Sequence, residues 1–281
     1  LIKMNNRRAF ITGIKGTKLT NQEIVFINKY KPWGIILFSR NLKKFEDIKR
    51  LTNHIRKIFN DKKYPIMIDQ EGGRVNRLKY LISLDTLTSE YFGKLFLNNK
   101  RKFYTIYKLF IDKTSFLLNE IGVNINTVPV LDLIYKGSST IVGDRSFSRS
   151  PLIVSKLGDV CINNFKQNSI GTVIKHIPGH GLAKVDSHNF TPIVNKSLKY
   201  LKKNDFSAFK KKDSFFAMTG HVIYKNIDKL NTATHSKKVI NYIRNIIGFK
   251  NIIISDDLSM KSLKESIKEN TVKSFKAGCN I

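Results

Sequence analysis

The chain holds 281 residues, 41% of them hydrophobic, which suffices for two average domains or for one large α/β barrel of about 250 residues. A formal net charge of +29 would ordinarily indicate nucleic acid, but lysine is spread along nearly the whole length with abundant Asn, Ile and Phe, and the densest run (202–212) follows a helical pattern; a solvated helix face is expected there, and a nucleic-acid partner is not. The two cysteines, Cys161 and Cys279, lie far apart, the start lacks a signal-like apolar run, and no stretch reaches the roughly 18 apolar residues of a bilayer span, so a reducing cytoplasm without membrane insertion is expected.

In chain order, Ala9 to Gly13 reads as a strand, and Thr20 with Glu23 forms a capping box ahead of Ile24 and Ile27, where a helix should begin. Residues 34–38 are a short apolar run of the kind that doubly covered parallel strands show. Phe45, Ile48, Leu51, Ile55 and Ile58 recur at three and four residues, the period of an amphipathic helix. A third strand, 65–68, runs into Asp69-Gln-Glu-Gly-Gly-Arg74-Val-Asn-Arg77, where charges of both signs flank a Gly-Gly bend. The apolar stripe over 103–121 predicts a core-packed helix, and 124–132 a strand that Pro129 should interrupt. Ser150 and Pro151 suit an N-cap and first helical position, with the helix running on through Leu157, Cys161 and Phe165. Strands at 171–176, 215–222 and 251–254 follow, each preceded by a helical pattern.

Strands alternating with helices over short links predict a parallel sheet with right-handed crossovers. With seven or eight such units and no split in composition, one (β/α)8 TIM-like barrel domain over residues 1–281 is favoured over an open doubly wound sheet. Asp69, Lys175, His176, His221 and Asp256 fall at or just past strand ends, where barrel enzymes collect catalytic groups.

The stretch from Val173 to Thr191 holds three of the six histidines. Its apolar lead-in stops at Lys175 and His176, after which Pro178, Gly179 and Gly181 rule out a continuing helix or central strand. The same breakers argue against zinc at His176 and His180, whose spacing needs a helix, and no metal or other cofactor is expected. In the loop, Asp186 and His188 stand two apart, a spacing at which a carboxylate in a turn can fix an imidazole tautomer and tune its basicity. A rim rich in Asp, Arg, Lys and His, without a phosphate-binding loop, suits a substrate dense in hydroxyls, such as a sugar. For a glycosidic bond Asp256 suits the nucleophile, and the Asp186/His188 pair can supply the acid/base on the opposite side of the ring.

Three runs, Lys175-His-Ile-Pro-Gly-His-Gly181 with Asp186-Ser-His188, Asp69 to Arg77, and Ile254-Ser-Asp-Asp-Leu-Ser-Met260, resemble bacterial β-N-acetylhexosaminidases of glycoside hydrolase family 3. Lesser stretches (34–41, 124–132, 143–147, 218–222 and 248–249) are similar in the same order, so the resemblance covers nearly the whole chain. It implies a retaining exo-glycosidase that removes terminal N-acetylglucosamine from muropeptides during cell-wall recycling in the cytoplasm; a monomer is expected. By position, Asp256 would be the nucleophile, His188 the general acid/base and Asp186 its orienting partner. Asp69, Arg77, Arg145, Lys175 and His176 would bind the sugar, Asp257 would pack or hydrogen-bond beneath the site, and the His188 loop would close over substrate. Two departures stand out: Ala277-Gly-Cys-Asn280 carries an amide where the family has a carboxylate, and Ile281 falls inside the expected eighth strand, which would leave a barrel seam uncovered. A β-glucosidase-like member and a truncated, non-catalytic sugar-binding protein are the alternative readings.

Overall fold

The computed structural model describes residues 6–137, 142–187 and 190–281. Its strands are β1 (Arg8–Gly13), β2 (Pro32–Leu37), β3 (Ile66–Ile68), β4 (Ile125–Asn126), β5 (Gly171–Ile177), β6 (Ile193–Val194), β7 (Phe216–Thr219), β8 (Ile223–Tyr224) and β9 (Ile252–Ser255). Seven of them form one sheet in the order β1-β2-β3-β4-β5-β7-β9, with every neighbouring pair parallel, while β6 and β8 pair only with each other. Parallel neighbours need crossovers. These are supplied by α1 (Asn21–Tyr30), α2 (Phe45–Phe59), α3 (Ser89–Asn98), α4 (Lys100–Glu120), α5 (Pro151–Gln167), α6 (Leu198–Lys203), α7 (Lys237–Tyr242) and α8 (Ile267–Ala277).

Two apolar clusters show how the sheet is bent. The larger one packs the helices on the outer face and includes Ile48, Leu51 and Ile55 of α2, Phe103 and Tyr107 of α4, and Leu157 and Cys161 of α5. The smaller one gathers Met67, Ile125, Val173, Phe216, Met218 and Ile254, with Ile11, Trp33 and Ile36 against them. Residues from every strand of the sheet thus meet on one face, and Trp33 of β2 lies 5.4 Å from Phe216 of β7, ring centroid to ring centroid. A flat sheet could not bring strands so far apart in its order together, so the sheet curls around this interior as a TIM-like barrel does. The curl is open between β1 and β9. Asn280 and Ile281 run along the β9 edge: the Asn280 N–H donates to Ile253 O at 2.8 Å, and the Ser255 N–H donates to Ile281 O at 2.9 Å. The side chain of Asn280 joins the same ladder, its Oδ1 accepting from the Ile253 N–H at 2.8 Å and from Arg244 at 2.7 Å.

The expected elements appear with shifted ends. Thr20 and Glu23 form the capping box of α1, and α2 buries the stripe that its period predicts. Pro129 does interrupt the fourth strand: its ladder ends at Asn126, and only a single bridge, Val130 to Lys175, continues it. Ser150 sits at the N-cap of α5 but makes no side-chain capping bond. The helix expected through Phe209 stops at Lys203 and gives way to a 3-10 turn, Asp205–Phe209, that buries Phe206, Ala208 and Phe209. Among the described residues, no helix is long and apolar enough to cross a membrane.

Helix α3, which no sequence pattern announced, is seated on the loop before α5 through Gly93. A Cβ at that position would lie 1.7 Å from the carbonyl oxygen of Phe147. Alanine in a helix normally stabilises by up to about 1 kcal/mol over glycine. Here Gly93→Ala should instead destabilise by about 3 kcal/mol, because α3 or the backbone at Phe147 must give way. Urea unfolding, with the midpoint lowered and the slope unchanged, is the measurement that checks the sign.

Candidate active site

A cavity of about 1070 Å³ takes in the C-terminal ends of the strands, the interior at Met67, Met218 and Ile254, and the open seam between β1 and the β9 edge, where Phe10, Phe275 and Ile281 line it. Asp69, Arg77, Arg145, Lys175, His176, Asp186 and Asp256 all line it, so seven of the eight predicted site residues converge on one space. The eighth, His188, lies outside the described residues. Neighbouring residues on a strand ordinarily face opposite ways. At the end of β5 the register against β7 jumps between Lys175 and Ile177, and this irregularity lets both Lys175 and His176 serve the same rim.

One wall is a cluster of buried charges. Lys175 Nζ lies 3.1 Å from Asp69 Oδ1, 2.7 Å from Glu71 Oε1 and 3.0 Å from Thr127 Oγ1. Arg145 grips Glu71 with both arms, Nε to Oε2 at 2.7 Å and Nη2 to Oε1 at 2.8 Å, and Arg77 approaches Asp69 at 3.6 Å. Thr127 also donates to Asp69. Burial alone would push both carboxyls up. For Asp69 it is outweighed by Lys175, the Thr127 hydroxyl and Arg77, and for Glu71 by Arg145 and Lys175, so both are held below their usual range.

The opposite wall is built on Asp132, fully buried beyond the interrupted fourth strand. Its Oδ2 meets His176 Nδ1 at 2.6 Å, and its Oδ1 accepts from the His180 N–H at 2.6 Å and from the His176 N–H at 3.2 Å. Burial again opposes the charge, but His176 and His180 keep Asp132 ionised below the usual range. The loop is forced close: a Cβ on Gly181 would lie 2.1 Å from the Leu133 carbonyl, which accounts for the second glycine of Gly-His-Gly. From the end of β9, Asp256 completes the site. Its own burial would raise it, yet His176, His221, the Asp257 N–H (2.8 Å to Oδ1) and Lys175 hold it low, so it stands as a carboxylate at neutral pH.

Two expectations need correction. His221 does not face the cavity; it is fully buried, with Nδ1 2.7 Å from Thr234 Oγ1 and Nε2 3.0 Å from the Asp257 carbonyl, and so braces the turn that carries Asp256. Asp257 does hydrogen-bond, but it lines the edge of the cavity and does not lie beneath it. It is exposed and caps its own turn, accepting from the Ser259 N–H at 2.8 Å and the Ser259 hydroxyl at 2.6 Å. Sequence reasoning passed over Glu71, Thr127 and Asp132 as site residues. Asp132 carried a readable signal, a lone acid inside the apolar run Val128-Pro-Val-Leu-Asp-Leu133, where an unpaired charge would be too costly to bury. Among the described residues, no group of three or more His, Cys, Asp and Glu side chains is arranged to hold a metal ion.

Asp205 lies under the turn at Gly179, 1% exposed, accepting from the Tyr135 hydroxyl at 2.6 Å through one oxygen while the other has no hydrogen-bond partner among the described residues. Burial, with Asp132 adding repulsion, pushes its carboxyl up to about 7 from an ordinary 3.8. The folded protein therefore holds a proton that the unfolded chain releases near pH 4, and this contribution to stability is lost as pH rises from about 4 to about 7. Asp205→Asn should match wild type near pH 4 and exceed it by a few kcal/mol above pH 7. Denaturant melts of both proteins across that range check this; a constant difference would speak against it.

Residues 9–281 match the model of the glycosyl hydrolase family 3 N-terminal domain. A beta-hexosaminidase of Nitrosomonas eutropha is 31% identical over 277 residues, 95% of this chain and 78% of that protein. One from Hydrogenovibrio crunogenus is 31% identical over 253 residues, 88% of this chain and 70% of that protein. The crystal structure of NagZ from Neisseria gonorrhoeae in complex with N-trifluoroacetyl-D-glucosamine aligns with a TM-score of 0.89 and 30% identity, over 98% of this chain and 80% of that one. The chain belongs to glycosyl hydrolase family 3.

Proposed function

We propose that this protein is a retaining exo-β-N-acetylglucosaminidase that removes terminal N-acetylglucosamine from muropeptides in the cytoplasm, working as a monomer and without a cofactor. The observation that carries the reading is the shared cavity: the ionised Asp256 at the end of β9 and the charge cluster around Lys175 line the same space as Asp186. A carboxylate accepts from sugar hydroxyls, and lysine and arginine donate to them. Asp69 is thus suited to accept from ring hydroxyls, with Lys175, Arg145, Arg77 and His176 donating around it. The Arg77 side chain is partly exposed and lines the cavity, so its guanidinium can donate to a hydroxyl there.

In the first step Asp256 attacks the anomeric carbon while His188, oriented by Asp186, gives its proton to the departing oxygen. The C–O bond breaks, and a glycosyl-enzyme ester forms on Asp256. In the second step His188 takes a proton from water, whose oxygen attacks the same carbon and releases the sugar with its configuration retained and Asp256 free. The site has room for this assignment because Asp256 is already ionised and needs no base of its own.

Release of p-nitrophenol from the N-acetyl-β-glucosaminide tests the reading directly; faster turnover of the matching β-glucoside would reassign the sugar. Asp256→Asn should lower kcat by about 10⁴-fold or more, since the bond-forming group is gone. For His188→Ala, kcat/KM should fall by about 10²-fold or more on a disaccharide yet far less on the p-nitrophenyl glycoside, whose leaving group needs little protonation. Equal losses on the two substrates would remove His188 from the acid role.

A further inference from the structure

Between His176 and the segment that carries Asp186 runs an unbroken line of buried hydrogen bonds. Asp132 binds His176 Nδ1 through one oxygen and the His180 N–H through the other, both at 2.6 Å, and His180 Nε2 meets Ser187 Oγ at 3.1 Å. Asp132, His180 and Ser187 are 1%, 3% and 4% exposed, so each bond is made away from competing water. Ser187 sits next to Asp186, which lines the cavity.

His180 is an expensive way to fill this space. Its Nδ1 is buried with no hydrogen-bond partner among the described residues, a destabilising feature that an apolar side chain would avoid. Burial and the neighbouring His176 depress its pKa to about 4, so the ring at neutral pH is uncharged and can share one hydrogen bond with a hydroxyl. What the imidazole does make is the link to Ser187.

We propose that His180 is a positioning residue for the acid/base step: through Ser187 it pins the segment bearing Asp186 to the Asp132–His176 pair, so that the sugar-binding wall and Asp186 are held in one register. The inference rests on Asp186 and His188 being the acid/base pair. It predicts coupling rather than chemistry, since neither His180 nor Ser187 needs to touch the substrate. A shift of about 1 Å in a positioned group is enough to cost on the order of 10²-fold in rate.

The test measures kcat/KM for Ser187→Ala, His180→Ala, His180→Gln and the Ser187→Ala/His180→Ala double variant, each on p-nitrophenyl N-acetyl-β-glucosaminide and on N,N′-diacetylchitobiose. On the disaccharide the two alanine variants should each lose about 10- to 100-fold, against about threefold or less on the aryl glycoside. The double variant should be no slower than the worse single one, and His180→Gln, which can place a donor near the old Nε2, should recover part of the loss. Equal losses on both substrates, or single losses that multiply in the double variant, would overturn the proposal. Should His180→Ala fail to fold, Ser187→Ala, which leaves the Asp132 bonds intact, decides by its substrate dependence alone. His188→Ala run in parallel separates the two readings: leaving-group dependence there but not in Ser187→Ala sinks the link only, whereas its absence in His188→Ala sinks both.

Discussion

Asp69 and Glu71 carry their charges out of bulk water just past β3, and that is tolerable only because Lys175 and Arg145 reach them from other parts of the barrel. Removing one partner from such a buried set typically costs about 3–5 kcal/mol, since the charge left behind has no compensation. The cluster therefore fixes more than itself: it ties the turn after β3 to the end of β5 and to the loop of Arg145, which are far apart in sequence. A substrate hydroxyl entering here meets donors and acceptors that are already oriented, with little reorganisation left to do.

The second wall obeys the same rule with a different composition. Asp132 spends its acceptors on two backbone N–H groups and one imidazole, which fixes the turn from His176 to His180 and, with it, the direction from which His176 faces the cavity. His221 plays the corresponding part for Asp256 by holding the Asp257 carbonyl. In both places a residue outside the cavity lining sets the orientation of one that lines it, the arrangement that a rigid strand-end site requires.

Periodicity made the helices α1, α2, α4 and α5 and the order of the seven sheet strands legible, because apolar repeats over ten or more residues have one low-energy solution. Helix α3 was not, since Ser89–Asn98 is short and its seat depends on Gly93 meeting a distant backbone. Among the residues that line the cavity, Asp69, Lys175, His176 and Asp256 could be found from their place at strand ends, Asp186 from its spacing in the loop, and Arg77 and Arg145 from family resemblance. Glu71 and Asp132 could not be given roles from local pattern, because partners of theirs lie 74 and 44 residues away. Asn280 stands where the resemblance implies a carboxylate, and its amide oxygen accepts from the Ile253 N–H and from Arg244.

In the main sheet each strand lies beside the one before it, apart from the small β6–β8 pair that stands aside. No strand has to wait for a distant segment to reach its place in the ladder. Pairing can therefore advance from the amino end as the polypeptide emerges during translation, each new βα unit docking on an edge that is already formed. The exposed growing edge is then a transient property of a nascent chain, and a net charge of +29 sets two such chains repelling one another.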